Sequence, residues 1–232
     1  MRTLASADFL DLWERGFRLH PLDRGLLALS AALTDTPYES LADWPLGRRN
    51  RALAELRCAC FGPALQGWIS CPQCAEKLEF QLDARALIGD NAAGEPIVVN
   101  GRSFRLPTTR DLARAGREAD SRVAALRLLQ SCWMEAGPPP DFSDEELEQV
   151  GERMGLADPL SETRLKLHCP QCGNQWDETL DLVTFLWSEI EARARRLLLD
   201  IHDLAAAYGW TESEILSLSE LRRATYLEMV RA

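Results

Sequence analysis

Four of the seven cysteines occur in two identical tetrads, Cys71-Pro72-Gln73-Cys74 and Cys169-Pro170-Gln171-Cys172. Two residues between the cysteines allow both sulfurs to face one side of a tight turn, where backbone amides donate to the thiolates and share their charge. Two such turns supply four thiolates, the number that a tetrahedral structural zinc site requires. The spacing therefore predicts one structural Zn²⁺ per chain, bound by Cys71, Cys74, Cys169 and Cys172. Such a site is closed and leaves no position for a catalytic water.

Short stretches with strand character flank both tetrads. They span residues 65–70 and 77–82 around the first tetrad, and residues 163–168 and 175–180 around the second. A strand, a Cys-x-x-Cys turn and a second strand form the unit known as a zinc knuckle, and two knuckles form a zinc ribbon. Knuckles that share a metal are usually separated by about 15–20 residues. Here residues 75–168 lie between them, so we expect a whole subdomain to be inserted between the two halves of one ribbon.

Two other interpretations of the cysteines remain open at this point. A single Cys-Pro-x-Cys turn is also typical of a thioredoxin-like redox pair, but that motif opens a helix in a βαβ unit and occurs once. The second alternative is that the tetrads carry no metal. The three other cysteines, Cys58, Cys60 and Cys132, are expected to be small buried apolar groups, because the two tetrads already fill a tetrahedral site.

The composition argues against several classes of protein. A formal net charge of −10 disfavours a general nucleic-acid binder, because the phosphate backbone would repel the chain. No apolar run approaches the ~18 residues of a membrane span, and the N-terminus does not resemble a signal peptide. Cysteines without a secretory signal are typical of a reducing compartment. We therefore expect a cytoplasmic protein that binds neither nucleic acid nor membrane.

Helical periodicity dominates the rest of the chain. The fold class predicted is mainly α with a small β zinc ribbon, two Cys-Pro-x-Cys knuckles separated by a mostly helical insertion, and a long C-terminal helix from Asp181 to about Tyr208. Asn100-Gly101 predicts a tight hairpin within the insertion. The predicted segments are an N-terminal helical region (1–62), a split ribbon (63–82 and 163–180), an inserted hairpin-plus-helices subdomain (83–162) and a C-terminal helical region (181–232).

No catalytic constellation accompanies the cysteines. The sequence has no Gly-x-Ser-x-Gly, no phosphate-binding glycine loop and no His-Glu-x-x-His. We therefore expect a protein that is not an enzyme and has no small-molecule substrate.

The C-terminal tail is rich in large apolar residues. Termini usually fray unless they are docked, so this tail either packs on the core or presents an apolar surface to a partner. The candidate partner-binding residues are Trp210, Ile215, Leu216, Leu221 and Tyr226.

Several stretches, taken in order, resemble baseplate proteins or baseplate hub assembly chaperones of contractile phage tails and of phage-tail-like contractile injection systems. They are Trp13-Glu14-Arg15-Gly16, His20-Pro21-Leu22-Asp23-Arg24, Phe104-Arg105-Leu106-Pro107-Thr108-Thr109-Arg110-Asp111-Leu112, and the tail from His202 to Leu216 with Arg222-Arg223 and Tyr226-Leu227. One departure is Ala75, where a glycine usually follows the first knuckle, as Gly173 follows the second.

The resemblance implies a structural or assembly role in the bacterial cytoplasm through contacts with baseplate or hub subunits, with or without incorporation in the particle, and it supplies no catalytic residues. Two functions from other classes are the alternatives. One is a zinc-ribbon transcription factor or other nucleic-acid-associated protein, which a pull-down would distinguish by its partners. The other is a metal-dependent enzyme, which would need an open or second metal site.

Overall fold

A computed structural model describes residues 1–88 and 95–231, and the chain is mainly helical there. The loop predicted at residues 89–94 lies outside the described residues. The elements in chain order are α1 (Ser6–Gly16), α2 (Pro21–Ala32), α3 (Tyr38–Ala42), α4 (Leu46–Phe61), β1 (Ala64–Ser70), β2 (Lys77–Asp83), a 3-10 helix (Ala84–Leu87), β3 (Ile97–Val99), β4 (Arg102–Phe104), α5 (Thr109–Ala115), α6 (Ser121–Ser131), α7 (Asp144–Ala157), β5 (Arg164–His168), β6 (Gln175–Thr179), α8 (Leu182–Tyr208), α9 (Glu212–Ser217) and α10 (Glu220–Arg231).

Capping residues determine both ends of the long helix α8. The Asp181 carboxylate accepts from the backbone amides of Val183 and Thr184, which otherwise have no partner in the first helical turn. Gly209 ends the helix with a φ of 69°, a left-handed conformation that glycine adopts without steric cost. Between these ends, one apolar stripe of α8 is buried over the full length of the helix.

The N-terminal and C-terminal helices share one core. Residues of α1, α2 and α4 pack with the apolar stripe of α8 and with Ile215 and Leu227 of the tail. Arg57 of α4 strengthens this junction, since its guanidinium is almost fully buried and pairs with Glu189 of α8 at 2.7 Å. The same guanidinium donates to the carbonyls of Gly62 and Ala64, so α4, the start of β1 and α8 are held by one side chain.

The packing of Trp187 of α8 on α1 depends on the absence of a side chain at Gly16. The Trp187 ring lies so near that a Cβ on residue 16 would be 2.1 Å from a ring carbon. Arg24 of α2 stacks 4.9 Å from the centroid of the same ring and donates to the Gly16 carbonyl. The close packing of Trp187 on α1 therefore requires glycine at position 16.

We expect Gly16→Ala to lower the free energy of unfolding by about 1–3 kcal/mol, because Trp187 must shift to admit the new methyl group. The matched control is Gly151→Ala in α7, where no atom lies within 4 Å of the added Cβ. That substitution should be neutral or stabilising by up to about 1 kcal/mol, since alanine is the better helix former. Urea unfolding of both variants checks the pair, and equal effects would contradict the proposed packing.

Three antiparallel hairpins complete the fold. β1 pairs with β2 from Ala64↔Asp83 to Ser70↔Lys77, and β5 pairs with β6 from Arg164↔Thr179 to His168↔Gln175. The predicted hairpin at Asn100-Gly101 is β3–β4, and both turn residues have positive φ, 51° and 73°. This hairpin joins α6 and α7 in a second, separate core built around Phe104, so the insertion has its own hydrophobic centre.

The insertion docks on the start of α4 through polar contacts. The Asp158 carboxylate accepts from the backbone amide of Gly47 at 2.8 Å, and burial raises the pKa of this carboxyl despite that hydrogen bond. Asn50 donates to the carbonyls of Leu160 and Ser161. Hydrogen bonds thus fix the insertion on α4, and the one between Asp158 and Gly47 is buried.

One short helix was missed in the sequence. α3 follows Pro37 and buries only Leu41 and Ala42, so it is too short to show helical periodicity. Among the helices in residues 1–88 and 95–231, none combines the length and the apolar character needed to cross a membrane.

Candidate metal centre

The two cysteine tetrads lie at the tips of hairpins β1–β2 and β5–β6 and have the same backbone geometry. In the first, the Cys71 amide donates to the Glu76 carbonyl and the Ala75 amide donates to the Cys71 carbonyl, at 2.8 and 2.9 Å. In the second, Cys169 and Asn174 form the equivalent first bond, and Gly173 donates to Cys169 in the equivalent second. The two identical tetrads therefore form two turns with the same backbone hydrogen bonds.

The hairpin tips meet, and their four sulfurs form one cluster. All four Sγ atoms lie within 4.8 Å of one another. Two contacts join the hairpins, Cys71 Sγ to Cys172 Sγ at 3.7 Å and Cys74 Sγ to Cys169 Sγ at 3.6 Å. A disulfide would need about 2.05 Å, so these are not disulfide distances. The group can hold a metal ion.

The cluster combines one buried and one exposed cysteine from each hairpin. Cys71 and Cys169 are buried, whereas Cys74 and Cys172 are exposed. The cysteines that meet across the interface are 95 and 101 positions apart in sequence. Any ion held by all four thus joins the chain before the insertion to the chain after it.

Hydrogen bonds prepare one thiol for ionisation. Partial burial raises the pKa of Cys71, but the backbone amides of Cys74 and Gln73, with neighbouring thiols, donate to its sulfur and lower the pKa to about 6. The amide of Glu76 favours the thiolate of Cys74, yet burial and hydrogen bonding to the other thiols outweigh it and raise that pKa to about 12. A metal ion bound by the thiolates would displace the protons that these thiols carry.

Asn174 is a neighbour of the cluster that sequence reasoning did not identify. Its side-chain amide lies 3.9 Å from Cys71 Sγ and donates across the interface between the hairpins. The equivalent residue in the first hairpin is Glu76, whose carboxylate cannot donate. Alignment of the two tetrads would have revealed this difference, since both residues lie two positions after the second cysteine.

Ala75, which stands where a glycine usually follows the knuckle, has a left-handed backbone conformation. Ala75 has a φ of 61°, and Gly173 at the equivalent position has a φ of 76°. A side chain in this left-handed region costs about 1 kcal/mol or somewhat more.

We expect Ala75→Gly to raise the free energy of unfolding by up to about 1 kcal/mol, because strain relief exceeds the added freedom of the unfolded chain. Gly173→Ala should lower it by about 1 kcal/mol, since nothing lies within 4 Å of the new Cβ and backbone strain is the main cost. Thermal unfolding of both variants under identical conditions is the measurement. If both substitutions changed the melting temperature in the same direction, the turns at Ala75 and Gly173 would not be equivalent.

The three remaining cysteines lie outside the cluster. Cys58 and Cys60 are half-buried on α4, and Cys132 is buried in the core of the insertion. Burial raises the pKa of all three thiols, that of Cys132 to about 12. They are therefore protonated at neutral pH and packed as small apolar groups.

The five candidate partner-binding residues of the tail have different environments. Ile215 is fully buried in the main core, so contact with a partner would require α9 to leave that core. Trp210 and Tyr226 are half-buried and pack edge to face, with ring centroids 4.9 Å apart, and Leu216 also packs on the core. Leu221 is 78% exposed. The tail is thus docked, and partner binding stays a prediction that falls chiefly on Leu221.

The geometry of the centre is the main guide to function. Comparisons with models of protein families, with curated protein sequences and with solved structures find no match to this chain.

Proposed function

We propose that Cys71, Cys74, Cys169 and Cys172 bind one Zn²⁺ and that the two hairpins form a split zinc ribbon. The convergence of four thiols from two identical turns carries this proposal. Zinc bound to four thiolates at about 2.3 Å would place the sulfurs about 3.8 Å apart, close to the two contacts between the hairpins. Thiolate ligands and tetrahedral spacing favour zinc over magnesium or calcium, which prefer oxygen.

The ion would have a structural role. Four protein thiolates complete a tetrahedral shell and leave no position for a water or a substrate. Its contribution would be to close the long loop formed by the insertion, because metal binding by a site absent from the unfolded chain adds directly to folding energy. The amides and Asn174 would then donate to thiolates and spread their negative charge.

We further propose that the protein acts in the bacterial cytoplasm as an assembly factor or baseplate component of a contractile injection system or phage-like tail. The support is the resemblance of the stretches around Trp13, His20, Phe104 and the tail. Phe104 and Asp111 of the third stretch are buried within or beside the core of the insertion. Exposed side chains would make the contacts with baseplate or hub subunits, and Leu221 is the leading candidate among them.

The test compares two exposed leucines. Leu221→Asp and Leu156→Asp each place a charge on a side chain that is more than 70% exposed, the first on the tail and the second on the insertion. Both variants should melt like the unmodified chain, because neither position is buried. We expect Leu221→Asp to reduce recovery of particle subunits in a pull-down from native lysate at least tenfold, and Leu156→Asp to leave it unchanged.

Recovery of nucleic acid in place of particle subunits would support the zinc-ribbon nucleic-acid alternative. If the unmodified chain recovers no particle subunits, or if particles assemble normally without the protein, the assembly proposal is wrong. The zinc proposal would be unaffected by either result, since it rests on the cysteine cluster alone.

A further inference from the structure

The two hairpins that carry the cysteine tetrads differ in how they are attached to the rest of the chain. Hairpin β1–β2 is part of the main core, since Leu65 is fully buried there and Phe80 and Leu82 pack on that core. Arg57 of α4 also donates to the carbonyl of Ala64, the first residue of β1, at 2.7 Å. The first tetrad is therefore held in place by contacts that do not involve the cysteines.

Hairpin β5–β6 lacks such an attachment. In the described chain its apolar residues belong to neither core, and contact with the main core begins at Leu180, directly after β6. Within residues 1–88 and 95–231, the hydrogen bonds of this hairpin to residues outside 162–180 are confined to the cysteine cluster, where the Asn174 amide donates to Cys71 Sγ. Loss of the metal would therefore free hairpin β5–β6, unless another bond replaced the ion.

Two sulfur–sulfur contacts of the cluster run between the hairpins. Cys74 Sγ lies 3.6 Å from Cys169 Sγ, and Cys71 Sγ lies 3.7 Å from Cys172 Sγ. Each of these pairs combines an exposed cysteine, Cys74 or Cys172, with a buried one. An oxidant in solution therefore reaches one thiolate of each pair first, because access controls the oxidation of cysteine. The second thiolate of the pair is already in contact with it, on the other hairpin.

We propose that a peroxide oxidises these two pairs to the disulfides Cys74–Cys169 and Cys71–Cys172, which replace the ion as the link between the hairpins. This inference rests on the proposed zinc site and adds a modification of its ligands. The sulfurs of a disulfide are about 2.05 Å apart, so each pair must close by roughly 1.6 Å. Hairpin β5–β6 then stays attached to hairpin β1–β2 after the ion has left.

Each disulfide consumes one molecule of hydrogen peroxide. The exposed thiolate of Cys74 attacks a peroxide oxygen, an S–O bond forms, the O–O bond breaks and hydroxide leaves. The sulfur is thereby oxidised to a sulfenic acid and the peroxide is reduced. The thiolate of Cys169 then attacks the Cys74 sulfur, the S–S bond forms, the S–O bond breaks and a second hydroxide leaves. Cys172 and Cys71 react in the same way with a second peroxide, and the ion is released because no thiolate remains to bind it.

The test uses the full chain with Cys58→Ser and Cys60→Ser, treated with hydrogen peroxide after its zinc content has been measured. Trypsin cleaves after lysine and arginine, so residues 58–77 and 167–193 form two peptides with one tetrad each. Mass spectrometry without reduction should find these peptides joined and the zinc released, and dithiothreitol should separate them and restore zinc binding. Separate peptides, with internal disulfides or with cysteines oxidised beyond the disulfide, would overturn the proposal. A chain without zinc before treatment would refute the zinc site, whereas joined peptides would still show the pairing of the thiols.

Two double variants compare paired with unpaired thiols. Cys74→Ser with Cys169→Ser retains the contact between Cys71 and Cys172, whereas Cys74→Ser with Cys172→Ser retains Cys71 and Cys169, which are both buried. Each variant keeps one thiol in each hairpin and loses two of the four candidate ligands, so both lose the metal site alike. Peroxide should join the two tryptic peptides at least about tenfold faster in the first variant, because one thiol of its pair is exposed and touches the other. Equal rates in the two variants would contradict the pairing.

Discussion

Replacing Cys169 and Cys172 together with serine is expected to release the metal and to lower the free energy of unfolding by at least about 4 kcal/mol. The double variant removes both ligands of one hairpin, so two remaining thiolates cannot complete a tetrahedral site. The link between residues on either side of the insertion is then lost, and with it the binding free energy that the ion adds to the folded state. For a chain of this length the melting temperature should fall by roughly 8–16 °C.

The control is the double variant Cys58→Ser and Cys60→Ser. It makes the same chemical change at two half-buried cysteines outside the cluster. This variant should retain one zinc ion per chain and unfold within about 2 kcal/mol of the unmodified protein, because only small packing contacts change. Zinc retention by the first variant, with an unchanged melting temperature, would contradict the split ribbon.

Asp111→Asn should lower the free energy of unfolding by about 2–3 kcal/mol, because it removes the charge pair between a buried carboxylate and the half-buried guanidinium of Arg105. The Asp111 carboxylate is 1% exposed and accepts two hydrogen bonds from Arg105, at 2.6 and 2.9 Å. It also accepts from the backbone amide and hydroxyl of Thr108, and so begins α5. The side-chain amide of asparagine can accept only some of the hydrogen bonds from Arg105 and Thr108. It also leaves the guanidinium of Arg105 without a negative partner.

The matched control is Asp120→Asn at the start of α6. Asp120 accepts one hydrogen bond, from the Val123 amide, in an exposed position. Asparagine caps helices about as well as aspartate, so this variant should change stability by less than about 0.5 kcal/mol. Urea unfolding at neutral pH compares the two, and similar losses would show that burial of the Asp111 pair contributes little.

The cost of Asp111→Asn should also depend on pH. Burial raises the pKa of Asp111, but the hydrogen bonds from Arg105 and Thr108 outweigh it and hold the pKa below its ordinary value. A carboxyl with a lowered folded pKa stabilises fully above its unfolded pKa of about 3.9 and loses that contribution as the pH falls through the folded value. The difference in free energy of unfolding between the unmodified protein and the Asp111→Asn variant should therefore become smaller below about pH 4. A constant difference would mean that charge is not its source.

The sequence predicted the cluster because both tetrads are local and identical. Turn spacing determines where two sulfurs of one hairpin point, and four thiolates are the number that a tetrahedral metal site requires. Helices with terminal signals were predicted for the same reason, as Asp181 and Gly209 show for α8. The short helix α3 was not predicted, because its two buried residues, Leu41 and Ala42, are too few to show helical periodicity.

The docking of the insertion could not be predicted in the same way. The contact of Asp158 with Gly47 joins residues 111 positions apart, and neither residue type indicates a partner. The sequence does not distinguish a tail packed on the main core from a tail that binds a partner, because large apolar residues suit a core and an interface equally well. Only the three-dimensional arrangement separates Ile215, which is fully buried, from Leu221, which is exposed.

X-ray absorption at the zinc K edge of the full chain, purified without added metal, tests the central claim most directly. One zinc ion held by the thiolates of both hairpins predicts four sulfur neighbours at about 2.3 Å and no nitrogen or oxygen neighbour. A spectrum with an oxygen or nitrogen ligand, or a folded protein that contains no zinc, would contradict the proposed site.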